Sequence, residues 1–230
     1  MNSSLIDASR LADTFQQLVR IDSISKEEGQ LVQMLRPILD DLGAETVVDG
    51  AGDRVGGKTG NLIARFYGNR EVAPMLFSAH MDTVEPGRGV QPVFKDGIFS
   101  SDGSKILGAD DKSAIAVLLE VFRVLTIHDL PHGPIDLVLT ICEEIGLLGA
   151  KHMDFQYLRA RFGYVLDSRY TDAIVVRAPS ANGLNSSSTA GKPTPDRLRK
   201  RASMPSHWRP GPSPVLIWAE SMKKPPATSE

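Results

Sequence analysis

The strongest constraint in this sequence is a change of hydrophobic period that recurs along the chain. Leu11, Phe15, Leu18 and Val19 fall on one helical face, and Leu31, Leu35, Ile38, Leu39 and Leu42 form a second apolar stripe closed by Gly43. Ser25 and Glu28 stand before that stripe at capping-box spacing. Short β-like runs follow at Glu45–Val48, Asn61–Phe66 and Met75–Ala79, and Phe94–Ile98 reads as part of a hairpin. From Lys112 to Leu125 the spacing of Ile115, Leu118, Leu119, Phe122 and Leu125 is helical again. Ile135–Ile141 and Tyr164–Leu166 are further buried-strand runs, and Ala173–Arg177 is a weaker one. Strands alternating with helices predict an α/β fold, a mixed, largely parallel sheet sandwiched by helices. Internal repeats and coiled-coil heptads are absent.

The polar residues stand where that architecture puts chemistry. Met75–Ala79 runs into His80-Met81-Asp82, Ile135–Ile141 into Cys142-Glu143-Glu144, and Tyr164–Leu166 into Asp167. Gly108-Ala109-Asp110-Asp111-Lys112 lies in the loop that opens a helix. Open α/β sheets bind ligands beyond the carboxyl ends of their strands, so parallel strands would bring one imidazole and several carboxylates to one rim. One such motif alone is weak evidence; four at strand ends or helix starts are not. Carboxylates packed together repel, and their pKa values rise unless a cation neutralises them. Imidazole with carboxylates and no thiolates is a donor set for zinc, or for manganese or cobalt. A carboxylate shared between two such ions makes a two-metal hydrolase centre, with roughly 3.5–4 Å between the metals.

Composition excludes several other classes. The apolar runs are too short to span a bilayer, so no membrane role is expected. MNSSLIDASR lacks a basic-then-apolar signal pattern, and a cytoplasmic location is expected. The single cysteine, Cys142, excludes an internal disulfide and fits a reducing compartment. A net charge of -2 rules out a whole-chain polybasic binder of nucleic acid.

Four collinear motifs, SAHMDTV (Ser78–Val84), GADDKSAIA (Gly108–Ala116), EEIGLLGAK (Glu143–Lys151) and LDS (Leu166–Ser168), resemble the co-catalytic zinc exopeptidases. That family includes peptidase T, glutamate carboxypeptidase, aminoacylase and succinyl-diaminopimelate desuccinylase. VRIDSISKEEGQ, GNLIARF and APSANGLN resemble its peptidase T-like, tripeptide aminopeptidase branch. The resemblance implies a metal-dependent peptidase acting on short peptides, with two divalent ions, zinc or else manganese or cobalt. It implies that His80, Asp110 and Asp167 hold one ion and that Asp110 and Glu144 serve the second. Asp82 would orient His80, and Glu143 would be the general base. The Asp110–Asp111 peptide bond would be cis. A carboxypeptidase or amide deacylase of the same family is the alternative within enzymes. Asp111 and Lys112 read as helix N-terminal residues. His128, His132 and His152 read as surface or capping residues, and Cys142 as a small buried strand residue. The Gly-rich Gly50–Asn61 stretch lacks phosphate-loop spacing and reads as a flexible turn.

The resemblance stops near Asn185. Through Asn185 the chain has 18 Lys+Arg against 25 Asp+Glu, and from Ser186 it has 8 against 3, with 8 of the 15 prolines. Family members continue with a lid domain, often a dimerisation surface, and a last metal-binding histidine. Read one base upstream with favourable codons, Thr189–Ser206 becomes HGRQAHAGPAPEKGINAI and Ile217–Glu230 becomes DLGRIDEETTCNIG, strings resembling that lid. The expectation is a catalytic part over residues 1–185 and an out-of-frame, disordered basic Pro/Ser-rich tail over 186–230, the lid/dimerisation domain being missing. Re-sequencing across the Asn185–Ser186 junction tests this. On that expectation the chain has little or no activity, and a non-catalytic fragment or pseudogene product is the competing reading. No nucleic-acid partner is expected, because the tail's basic residues are scattered without an aromatic stacking pattern.

Overall fold

The computed structural model describes residues 5–168 and 173–176. Residues 186–230 and the APSANGLN motif lie outside the described residues. The elements run α1 (Ala8–Arg20), α2 (Gly29–Asp41), β1 (Glu45–Val48), α3 (Ala51–Val55), β2 (Leu62–Phe66), β3 (Met75–His80), β4 (Val93–Lys95), β5 (Ile98–Ser100), α4 (Ala109–Ile127), β6 (Ile135–Thr140), α5 (Leu148–Lys151), a 3₁₀ turn (Phe155–Tyr157) and β7 (Gly163–Val165). Ala173–Val176 is described without a strand, so the weak strand expected there is not formed over those residues.

Five strands form one sheet in the order β1-β2-β6-β3-β7. β1 and β2 pair antiparallel, as do β2 and β6, whereas β6 with β3 and β3 with β7 are parallel. The fold is therefore α/β with a mixed sheet, and the three strands that precede the expected site residues are the parallel ones. β4 and β5 form the separate hairpin anticipated near Phe94.

Alternation along the strands sorts the two faces. Leu62, Ala64 and Phe66 of β2 and Ile135, Leu137 and Leu139 of β6 join the main core with the stripes of α1, α2 and α4. Phe15, Leu18 and Val19 of α1 are buried there, as are Leu31, Leu35 and Leu39 of α2 and Ile115, Leu118, Leu119 and Phe122 of α4. Phe66 stacks on Phe122 with ring centroids 4.1 Å apart. Arg10 grips the buried Glu120 with Nε and Nη2 (2.8 and 2.7 Å), tying α1 to α4.

The opposite face carries Ile63, Leu76 and Val138 and is covered by Met153, Tyr157, Leu158 and Ala160. This second layer is thin, and one carboxylate fastens it. The fully buried Asp136 accepts from the N–H groups of Arg159 (2.6 Å) and Ala160 (2.8 Å) and from the Arg159 guanidinium (2.9 and 2.8 Å). Among the described residues no helix is long and apolar enough to cross a membrane.

Two local expectations are corrected. Ser25 and Glu28 do not form a capping box: the residue before α2 is Glu28 itself, in helical conformation and without a side-chain cap. Both side chains are drawn away to the sheet edge. Gly50–Asn61 is more than a flexible turn, because it holds α3 and closes on neighbouring backbone at Gly60. A Cβ at Gly60 would lie 1.9 Å from the Asp49 carbonyl oxygen.

Replacing Asp136 with Ala strands the Arg159 and Ala160 amides and the Arg159 Nε, leaving the guanidinium only the Phe66 and Ile135 carbonyls. Loss of a buried paired charge predicts destabilisation on the order of 3 kcal/mol, read from the urea midpoint at unchanged m-value.

Candidate functional site

The parallel strands decide what meets at the edge. His80 is the last residue of β3 and pairs with Thr140, the last of β6; Ser78 pairs with Val165, the last of β7. The three carboxyl ends therefore lie side by side. The Leu166 N–H donating to the Ser78 carbonyl (2.8 Å) carries β7's pairing up to the residue before Asp167. Gly108, with φ +71, turns the chain into α4, and the Asp110–Asp111 bond is cis. Asp110 and Asp111 have non-helical dihedrals, so regular helix begins at Lys112.

Among the described residues, two groups of side chains can each offer ligand atoms lying within 4.8 Å of one another: His80 with Asp110 and Asp167, and His80 with Glu143 and Glu144. His80 is buried, and its Nε2 lies 3.1 Å from Asp110 Oδ1. Its Nδ1 faces the Asp82 main-chain carbonyl at 2.8 Å and the Asp82 carboxylate at 3.5 Å. A carbonyl only accepts, so Nδ1 carries the proton and Nε2 is turned to the carboxylates. Asp110 and Glu144, expected to share an ion, do not fall in one group with each other.

Asp82 does more than face His80. Its fully buried carboxylate accepts from Glu143 N–H (2.8 Å), Glu144 N–H (3.2 Å) and Ser25 Oγ (2.6 Å). Asp111 and Lys112 stand at the N-terminal end of α4, as expected, and both are buried there. Asp111 accepts from the His80 N–H at 3.2 Å, and Lys112 Nζ donates to the Ile21 carbonyl at 2.7 Å. Sequence reasoning missed these two roles because burial is a tertiary property; the DDK triplet carries no local sign of it. His132 bonds the Gly133 carbonyl, and neither it nor His128 and His152 joins either group.

The electrostatics are those of an acidic cluster around one cation. Burial, then repulsion from neighbouring carboxylates, raises the pKa values of Glu143, Glu144 and Asp167. Asp111 is pushed up to about 8, chiefly by burial and against the pull of His80. For His80 burial works downward, but the Asp82 bond and the charges of Asp111, Asp82 and Glu143 win, and its pKa rises to about 10. Asp82 goes down despite burial, because His80, Ser25 and the Glu143 N–H all bond its charged form. Such a donor set, one imidazole among carboxylates that resist ionising together, fits a divalent cation.

Known proteins resemble this chain over its described part. A family model described as Peptidase family M28 matches residues 61–172. The uncharacterized protein YqjE of Bacillus subtilis (strain 168) is 40% identical over 177 residues, 76% of this chain and 48% of its own length. The crystal structure of aminopeptidase PepT from Bacillus cereus superposes with a TM-score of 0.70 at 42% identity, covering 72% of this chain and 44% of that one. Over most of its described residues the chain resembles the peptidase T-like exopeptidases. A tripeptidase from Staphylococcus aureus also matches this peptidase T-like chain, at TM-score 0.70 and 39% identity over 72% of it and 44% of the tripeptidase. The chain spans less than half the length of each of these three relatives.

Cys142 lies beside this centre, fully buried two residues past the end of β6 rather than within it. Burial, with the nearby Glu28, pushes its thiol up to about 12. Native protein at pH 8 is therefore expected to react with a disulfide reagent about three orders of magnitude more slowly than urea-unfolded protein. The unfolded thiol ionises first, so its contribution to stability is full below about pH 9 and is lost as the pH rises towards 12. Divalent metal must displace protons from these raised groups. Calorimetric titrations in buffers of different ionisation enthalpy are expected to show proton release on zinc binding and an affinity that rises from pH 6 to 8.

Proposed function

We propose that this chain carries the catalytic part of a metal-dependent aminopeptidase that hydrolyses short peptides, tripeptides foremost. The observation that carries the reading is the convergence of His80, Asp110, Asp167, Glu143 and Glu144 at one sheet edge. The similarity to a solved aminopeptidase and a solved tripeptidase supports the substrate class. His80, Asp110 and Asp167 would hold one divalent ion, and Asp110 with Glu144 the second; zinc suits the donors, as do manganese and cobalt.

When bound, such ions supply a water of lowered pKa, about 7, and polarise the scissile carbonyl. The chain's own residues then manage protons and position. Glu143 acts as general base, its carboxylate accepting a proton from the attacking water and returning it to the nitrogen of the leaving amine. Burial raises its pKa towards the working range for that exchange. The main-chain carbonyl of Asp82 keeps the proton on His80 Nδ1 and leaves Nε2 free as a donor to metal. The Asp82 carboxylate holds the amides of Glu143 and Glu144, so one residue, through its carbonyl and its carboxylate, sets the imidazole and both glutamates.

A non-catalytic fragment is the second reading, and one observation favours it: among the described residues no second imidazole joins either group. Metal analysis of zinc-equilibrated chain separates the two. About two ions per chain are expected of the peptidase centre, and none or one of the fragment. In zinc-loaded protein Glu143→Gln is expected to lower tripeptide hydrolysis at least a hundredfold with metal content unchanged, whereas Asp167→Asn lowers metal content itself. Equal hydrolysis by wild type and Glu143→Gln removes Glu143 from the reaction.

A further inference from the structure

Past Thr140 the central strand β6 leaves the sheet, and four successive amides lose the ladder that served them. Each is caught by a side-chain oxygen from a distant part of the chain. Ile141 N–H donates to Asn61 Oδ1 (3.1 Å), Cys142 N–H to Glu28 Oε1 (3.0 Å), Glu143 N–H to Asp82 Oδ1 (2.8 Å) and Glu144 N–H to Asp82 Oδ2 (3.2 Å). All three acceptor residues, Asn61, Glu28 and Asp82, are fully buried. Asn61 is itself held, its amide donating to Asp49 Oδ2 (2.8 Å) and to the Gly149 carbonyl (2.9 Å).

The weakest point of this segment is Cys142, a residue with a Cβ held at φ +53. Left-handed backbone is disfavoured for such residues and persists only where the surroundings over-determine it. Glu28 supplies that determination from one side. Its Oε1 takes both the Cys142 N–H and the Lys26 N–H (3.0 Å), fixing the turn of residues 26–28 against the turn that launches Glu143. From the other side the Cys142 carbonyl accepts from Leu148 N–H (3.0 Å). Burying a carboxyl group is costly, and the second oxygen of Glu28 has no protein partner among the described residues. An apolar side chain of similar size would fill the space without that cost, so the acceptor at Oε1 is what the position requires.

We propose that Glu28 is a positioning residue for the Glu143–Glu144 pair: it holds Cys142 in the left-handed turn from which the general base and its neighbouring ligand are presented. The proposal rests on the reading of that pair as base and metal ligand, and its test is separable from that reading because it needs no metal.

Amide hydrogen exchange on the full metal-free chain tests it, with Glu28→Met removing the acceptor at nearly constant volume and Glu28→Gln keeping an acceptor oxygen. Glu28→Met is expected to speed exchange of the Cys142 and Glu143 amides at least tenfold, while Leu137–Leu139 in β6 keep wild-type protection. Glu28→Gln is expected to stay within about twofold of wild type throughout. A second readout is cobalt(II) titration, in which Glu28→Met weakens binding about 10–100-fold and Glu28→Gln restores it. The proposal is overturned by unchanged loop exchange in Glu28→Met, by Glu28→Gln behaving like Glu28→Met, or by equal acceleration in β6, which marks general loosening. Failure of wild-type chain to take up cobalt counts against the two-metal reading, while the exchange result still decides the role of Glu28.

Discussion

Everything at the candidate site depends on how the chain leaves the sheet after β6. A strand interior satisfies its amides through its neighbours, but a strand that runs out towards a ligand must find other acceptors or leave buried donors unpaired. Here the acceptors are side chains, and they come from three remote segments. Asn61 stands at the start of β2, Glu28 before α2 and Asp82 just after β3. The same contacts that satisfy the backbone therefore register the first helices and the sheet against the acidic pair.

Charge is the second constraint, and it works against the fold unless something offsets it. His80 is the cation among Asp82, Asp110, Asp111, Glu143, Glu144 and Asp167, and its raised pKa reports how strongly that neighbourhood holds a positive charge. The raised pKa values of the carboxylates report the reverse, that several of them resist ionising in a buried cluster. A divalent cation resolves both tendencies at once, and this is the physical reason for reading the edge as a metal centre.

Much of this was legible in one dimension because it depends on local pattern. The helical stripes of α1, α2 and α4 and the runs of β2, β3 and β6 follow from period, and the structure forms them where the spacing puts them. His80, Glu143 and Asp167 were readable as site candidates because each follows an apolar run, and parallel strands bring their ends together. Ser25 and Glu28 show the opposite case. Their spacing suits a capping box, but their partners lie 57 and 114 residues away, and no local rule can weigh a cap against a tertiary acceptor. Asp111 and Lys112 do stand at the N-terminal end of α4, as their pattern suggests, but that they are buried there is again a tertiary outcome.

By itself, then, the sequence determined the long helices, the main sheet strands, their ends and the donor chemistry gathered there, because period and residue type are local quantities. Only the tertiary structure decided which strands run parallel, that Asp82 serves two glutamate amides as well as His80, and that Glu28, Asn61, Asp111 and Lys112 are interior. Those outcomes turn on burial and on hydrogen bonds between segments far apart in the chain. They exist only once the sheet has closed over its helices and left each buried donor to find an acceptor.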